Sequence, residues 1–260
     1  MSTITSRDNP RVRRWRELTR DAAERRKERC AVIEGAHLVA ACLDSKLPIK
    51  CLMLGKSVAL RPEFVLLVDR SGKAPVLLSD ALFRHISDTQ TPAGIAAEIA
   101  IPPAAKELKT AGACVFLDAI QDTGNVGTIL RSAAAFGIRH AVLGKGCADA
   151  WSPKVLRAGM GAHFGMVILE NAELGAAIES FGGKLVCTVP RGGVPLSGAD
   201  LSGRIGWLLG AEGRGISEAL AARAALKVTI SMPGTAESLN VAAAAAICFY
   251  QSSLKNGRIA

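Results

Sequence analysis

No C-x-x-C pair occurs in the chain, and its seven cysteines are an odd number. Both facts argue against a disulfide framework and against a zinc knuckle, leaving reduced thiols as the simple reading. Long apolar runs are missing too: the longest uncharged one, Val241 to Tyr250, is about half the ~20 residues that a membrane-spanning helix needs. The start, MSTITSRDNPRVRRWRELTR, has no apolar stretch ahead of its arginines and carries acids among them, which suits neither a secretory leader nor an organelle presequence. A soluble, cytoplasmic protein with no membrane partner is therefore expected. Neither G-x-G-x-x-G nor G-x-x-x-x-G-K-[ST] is present, since GAEGRG has the wrong spacing, so a dinucleotide dehydrogenase and a P-loop phosphotransferase lose their main support. His37, His85, His140 and His163 lack metal-ligand spacing, and no metal site is expected. Ser252 and Lys255 form an S-x-x-K, which on a terminal alanine-rich helix is read as chance. There is no internal repeat and no low-complexity segment.

What is present is a 260-residue chain, 49% hydrophobic, long enough for one large domain or two modest ones. Its formal charge of +9 is uneven: residues 1 to 30 hold ten Lys or Arg against five acids, which is +5 of the total. Such an excess suits a polyanion, because neutralising phosphates releases counterions; a solvated basic helix without a partner explains it equally well. Trp15, set among the arginines, either stacks on a base or packs its helix against its own domain.

Proline and alanine cluster in IPPAAKELKTAG, residues 101 to 112, which reads as a linker between two α/β segments. Before it, strands are expected at 31–34, 49–54, 64–68 and 95–99, with helices at 37–44 and 80–85. After it, 113–120, 140–144, 164–169, 184–189, 205–210 and 226–232 read as near-continuous apolar strands of a parallel sheet covered by helices on both faces. Helices are expected at 126–136, 153–160, 173–181, 217–224 and 239–254.

Ligands of an open parallel sheet gather at the carboxyl ends of its strands. Three strand-to-helix loops stand out there: QDTGN from Gln121, GAEGRGIS from Gly210, and MPGTAESLN from Met232. Asn125 would serve as a helix cap and Gly137 as a helix stop. Arg131 is harder to explain, because Ile129, Leu130, Ala133, Ala134 and Phe136 make its helix look buried, and a buried arginine needs an anion. Glu212 or a ligand phosphate would each do. Glu212 itself reads equally as a solvated turn acid, and Ser238 and Asn240 as caps of the last helix.

Taken together, the loops resemble the three motifs of the SpoU/TrmH family of RNA ribose 2′-O-methyltransferases in the SPOUT superfamily: NVGTILR (125–131), LLGAEGRGIS (208–217) and ISMPGTAESLNVAAAA (230–245). SPKVLRAGMGAHF (152–164) is also similar to family sequence. Thr123 and Ser231 depart from the pattern where relatives often have proline, and Ala242 where many have a second serine. The resemblance implies a knotted methyltransferase domain at 113–260, its parallel sheet closed by a C-terminal trefoil knot. It also implies an RNA-binding α/β domain, akin to a ribosomal-protein fold, at 1–100. It further implies S-adenosylmethionine held around Gly210, Ile230, Met232 and Leu239, and a site made of Asn125, Arg131, Glu212, Ser238 and Asn240 that is completed in a homodimer. RNA, not DNA, would be the substrate, ribosomal RNA ahead of transfer RNA. A non-catalytic ribosome-assembly protein and a base-nitrogen methyltransferase stay as alternatives.

Overall fold

The computed structural model describes residues 3–45, 47–103 and 111–255. In chain order the first strands and helices are β1 (Thr3–Ile4), α1 (Pro10–Arg20), α2 (Ala22–Glu28), β2 (Cys30–Glu34), α3 (Ala36–Asp44), β3 (Ile49–Gly55), α4 (Pro62–Ser71), β4 (Val76–Leu78), α5 (Asp80–Ile86) and β5 (Ile95–Ala100). The strands form a mixed sheet of order β1-β4-β3-β5-β2, with β5 antiparallel to both neighbours. Then follow β6 (Cys114–Asp118), α6 (Thr123–Ala135), β7 (His140–Gly144), α7 (Pro153–Gly159), β8 (Val167–Ala172), α8 (Leu174–Phe181), β9 (Lys184–Thr188), β10 (Val194–Pro195), β11 (Ile205–Gly210), α9 (Glu218–Ala221), β12 (Leu226–Thr229) and α10 (Val241–Lys255). These strands make a seven-stranded sheet of order β10-β12-β9-β11-β6-β7-β8, parallel throughout.

The chain divides into two compact units: residues up to 103 together with Trp151–Phe164, and the remainder. The first therefore includes α7, which packs against β2. Most of the 101–112 linker expected from the sequence lies outside the described residues.

In the first unit Asn9 caps α1 by accepting from Arg11 N at 2.9 Å, and Pro10 occupies the first turn, where its missing N–H costs nothing. Val12, Trp15, Leu18 and Thr19 recur at helical spacing and are buried. Trp15 is 1% exposed and donates from Nε1 to Glu98 at 2.9 Å. That settles its two readings, since a ring packed this way is closed to base stacking. Arg14 grips the same carboxylate through both of its terminal nitrogens, at 2.8 and 2.9 Å. Burial alone raises the Glu98 pKa, but the hydrogen bonds from Arg14 and Trp15 and the charge of Arg14 carry it below its ordinary value.

The strand expected at 64–68 is instead the middle of α4. Pro62 starts this helix, and the apolar run splits into a buried face, Phe64 and Leu67, and an exposed one, Val65 and Leu66. A short apolar run cannot distinguish the two periods by itself. The three-residue β4 and the two-residue β1 were too short to leave a pattern. In the second unit the strand expected at 164–169 starts at Val167, after a 3-10 turn over Ala162–Gly165. The strand expected at 226–232 ends at Thr229 and gives way to irregular chain over 230–240. Around the central strands Phe116, Trp207 and Leu208 are fully buried, and Trp207 Nε1 donates to Ser252 Oγ at 3.3 Å. Ser252 thus has a structural task in the core. All seven cysteines are free, and no described helix is long and apolar enough to cross a membrane.

Candidate active site

The carboxyl ends of β9, β11 and β12 border one cavity of about 330 Å³. Thr188, Val189 and Pro190 line it after β9, Gly210 to Gly213 with Gly215 and Ile216 after β11, and Ile230, Met232 and Glu237 to Leu239 after β12; Val241 and Ala244 of α10 complete the wall. All four residues expected to hold a cofactor, Gly210, Ile230, Met232 and Leu239, are in this lining. Apolar side chains share the lining with irregular chain over 230–239, which is where main-chain polar groups can meet a ligand.

Gly210 is required by packing. A Cβ on it would lie 2.3 Å from the main chain of Gly215 and Ile216. The loop folds back so tightly because Gly215 N donates to Ala211 O at 2.8 Å and because Gly213 and Gly215 take φ of 82° and 70°, where glycine is at ease. Asp118, the last residue of β6, pins the loop's far end by accepting from Ser217 N at 2.9 Å.

Helix α6 begins three residues earlier than its apolar pattern suggests. Asp122 is the cap, accepting from Asn125 N at 2.7 Å, and Thr123 stands at the first helical position, which proline also favours. The cap role expected of Asn125 therefore falls to Asp122, which leaves the Asn125 carboxamide free to reach across the site. Its Nδ2 donates to Glu212 Oε1. Asn240 Nδ2 donates to Asn125 Oδ1 at 2.9 Å and to Glu212 Oε1 at 3.0 Å, while Asn240 Oδ1 accepts from Ala242 N at 2.9 Å and caps α10. Three loops far apart in sequence are thereby tied together by one residue from each, with Glu212 at the cavity wall. At its other end α6 stops as expected: Gly137 has φ of 78°, with Gly137 N bonded to Ala134 O and Ile138 N to Ala133 O at 2.8 Å.

Arg131 corrects the reading of a buried arginine. Ile129, Leu130 and Ala133 are buried, but Arg131 faces outward, is exposed, and makes no ion pair or hydrogen bond among the described residues. Glu212 is not its partner. Six residues at about 100° each turn it roughly 120° away from Asn125 around the helix. Ser238 lines the cavity, exposed and outside the polar cluster. Asp118, Asp122 and Glu237 were not singled out from the sequence; Asp122, three residues before Asn125, carried the spacing of a cap and could have been found.

A profile of the SpoU rRNA Methylase family matches residues 112–250, and one of the MRM3-like substrate binding domain matches residues 9–97. The 23S rRNA (guanosine(2553)-2′-O)-methyltransferase of Bacillus subtilis (strain 168) is 34% identical over 253 residues, covering 96% of this chain and 98% of that protein. The crystal structure of an RNA 2′-O ribose methyltransferase superposes with a TM-score of 0.82 at 27% identity, covering 98% of this chain and 99% of the other. An AdoMet-bound rRNA methyltransferase from Sinorhizobium meliloti gives a TM-score of 0.81 at 26% identity, with 96% and 97% covered.

Proposed function

The chain belongs to the SpoU rRNA methylase family, and on that premise we propose that it is an S-adenosylmethionine-dependent enzyme that methylates the ribose 2′-hydroxyl of ribosomal RNA. The observation that carries this reading is the joining of Asn125, Glu212 and Asn240 at the wall of a cavity lined by all four expected cofactor residues. The fit to S-adenosylmethionine is good. Ile230, Met232 and Leu239 offer an apolar slot at the ends of the parallel strands, and Gly210 lets the β11 loop fold back tightly to form its wall. When bound, that cofactor supplies a methyl group on a sulfonium.

The remaining chemistry falls to the chain. An arginine with its pKa above ~12 is a poor general base. Arg131 therefore acts as a fork that grips the phosphate beside the target ribose and stabilises negative charge growing on the 2′-oxygen, while the hydroxyl proton passes to solvent and the methyl would leave the sulfonium sulfur. Asn125, Glu212 and Asn240 fix the relative positions of the three loops, and Ser238 orients the ribose. Positioning of this kind is worth up to about 7–11 kcal/mol in favourable intramolecular cases.

Three structural readings belong to the same proposal. The segment after β12 and helix α10 form a trefoil knot; support comes from β12 lying beyond β9 while α10 returns to pack on α6 and β11. Residues 1–100 bind substrate RNA, and 113–260 carry the transfer. The active unit is a homodimer in which Arg131 of one copy serves the cavity of the other. Ile247, Tyr250 and Leu254 support this, forming an exposed apolar stripe at i, i+3 and i+7 on α10, which packs on the helix that bears Arg131. We assign the enzyme to the cytoplasm. The test is incubation with methyl-labelled S-adenosylmethionine and unmodified ribosomal or transfer RNA. Label in ribosomal RNA supports the reading; label in transfer RNA alone moves the substrate; no cofactor binding at all leaves a non-catalytic RNA-binding protein.

A further inference from the structure

Ten basic residues crowd the first 30 positions, but the fold treats them differently. Arg13 pairs with Asp8, Arg14 with Glu28 and Glu98, and Lys27 with Glu24. Arg25 is 3% exposed and donates to Leu18 O at 2.7 Å. Arg13, Arg14 and Lys27 border a concavity that also holds four acids. A second concavity, of about 360 Å³, is bordered by Arg7, Arg16, Arg20, Arg84, His85 and Ala81, with no acid among them.

These groups come from three places: the turn before α1, one face of α1, and the end of α5. Arg7, Arg20 and Arg84 are exposed and make no ion pair or side-chain hydrogen bond among the described residues. Arg16 is oriented instead by a neutral partner. Its Nη1 donates to His85 O at 3.1 Å and lies 2.6 and 2.9 Å from the two ring nitrogens. Burial, then Arg16, Arg7 and Arg20, hold the His85 imidazole below its ordinary pKa, and burial, then Arg20 and Arg7, lower Arg16 likewise. Four like charges thus border one concavity whose lining holds no acid. The acids of this region, Glu17, Asp21, Glu24 and Glu28, stand instead around the neighbouring concavity, beside Arg13, Arg14 and Lys27.

We propose that Arg7, Arg16, Arg20, Arg84 and His85 form a seat for the RNA backbone, taking one or two consecutive phosphates. The seat makes the Arg16–Arg20 edge of α1, with the end of α5, the substrate-facing side of the first unit. It rests on the reading that the chain acts on RNA. Guanidinium forks suit phosphate oxygens, and His85 adds a donor once an anion is near.

The test is binding of an unmodified ribosomal RNA transcript by the full chain at several salt concentrations. A double substitution, Arg20→Ala with Arg84→Ala, is compared with Arg26→Ala with Lys27→Ala on α2, which removes the same charge outside the concavity; S-adenosylmethionine affinity serves as the check of folding. The seat predicts that the first pair weakens RNA binding on the order of tenfold and flattens the log-affinity against log-salt slope by about 1.4–1.8, the share of two phosphates. The second pair should leave both nearly unchanged. Equal weakening by both pairs means diffuse attraction and overturns the seat, as does an unchanged slope in the first pair while wild-type protein still methylates RNA. Wild-type protein that neither binds nor methylates RNA overturns the functional reading, and the seat with it.

Discussion

Arg14 on α1 and Arg131 on α6 each stand among apolar neighbours on a helix with one buried face. Arg14 is folded inward, shared between Glu98 and Glu28, with one of those carboxylates also accepting from Trp15. Arg131 turns outward, and among the described residues nothing holds it. The first is an arginine whose charge is consumed by its own fold; the second keeps all five donors for something outside. Burial of neighbours does not decide which is which. The supply of carboxylates on the facing strand does: β5 offers Glu98 to α1, whereas the acids near α6, Asp118, Asp122 and Glu212, are engaged with Ser217, Asn125 and Asn240.

The contrast can be broken most severely at Arg131. Arg131→Ala should lower turnover on RNA by about 10²–10³-fold, the usual loss for one electrophilic donor, while its unfolding free energy in urea stays within about 0.5 kcal/mol of wild type. Arg131→Lys keeping nearly full turnover would remove the fork from the account, since an ammonium cannot bind two oxygens in one plane. If Arg131 serves across a dimer, mixing Arg131→Ala with Glu212→Ala should restore about a quarter of the wild-type rate, because random exchange leaves one site in four intact.

Arg14 should behave in the opposite way. Glu98→Ala leaves the Trp15 indole without its acceptor and Arg14 with Glu28 alone, and urea denaturation should register a loss of about 1–3 kcal/mol with S-adenosylmethionine binding intact. The smallest effect is in pH. Because Glu98 is held below its ordinary value near 4.5, the stability it contributes is complete above that pH and drains away as pH falls through the lower folded value. Wild type should lose stability as pH falls below about 4.5 more steeply than Glu98→Gln, which denaturant titration at each pH measures.

The parallel sheet was legible in the sequence because strands buried on both faces leave continuous apolar runs, as in CVFLD and IGWLLG. The cavity was legible because glycine and strand ends point to it. Arg131's exposure was not: Ile129, Leu130 and Ala133 record that α6 has a buried face, but the sixth residue after Asn125 can fall on either side of that face's edge. Helix α4 was missed for a related reason, since FVLLV shows the same letters whether two or five of them are buried. The tie among Asn125, Glu212 and Asn240 joins positions 87 and 115 residues apart, and no local pattern announces it.

The most direct measurement digests RNA to nucleosides after incubation with methyl-labelled S-adenosylmethionine and the wild-type or Arg131→Ala protein. Label is expected in a 2′-O-methyl nucleoside of ribosomal RNA and is lost with Arg131→Ala. Label on a base nitrogen, or label undiminished without Arg131, would contradict the proposed function.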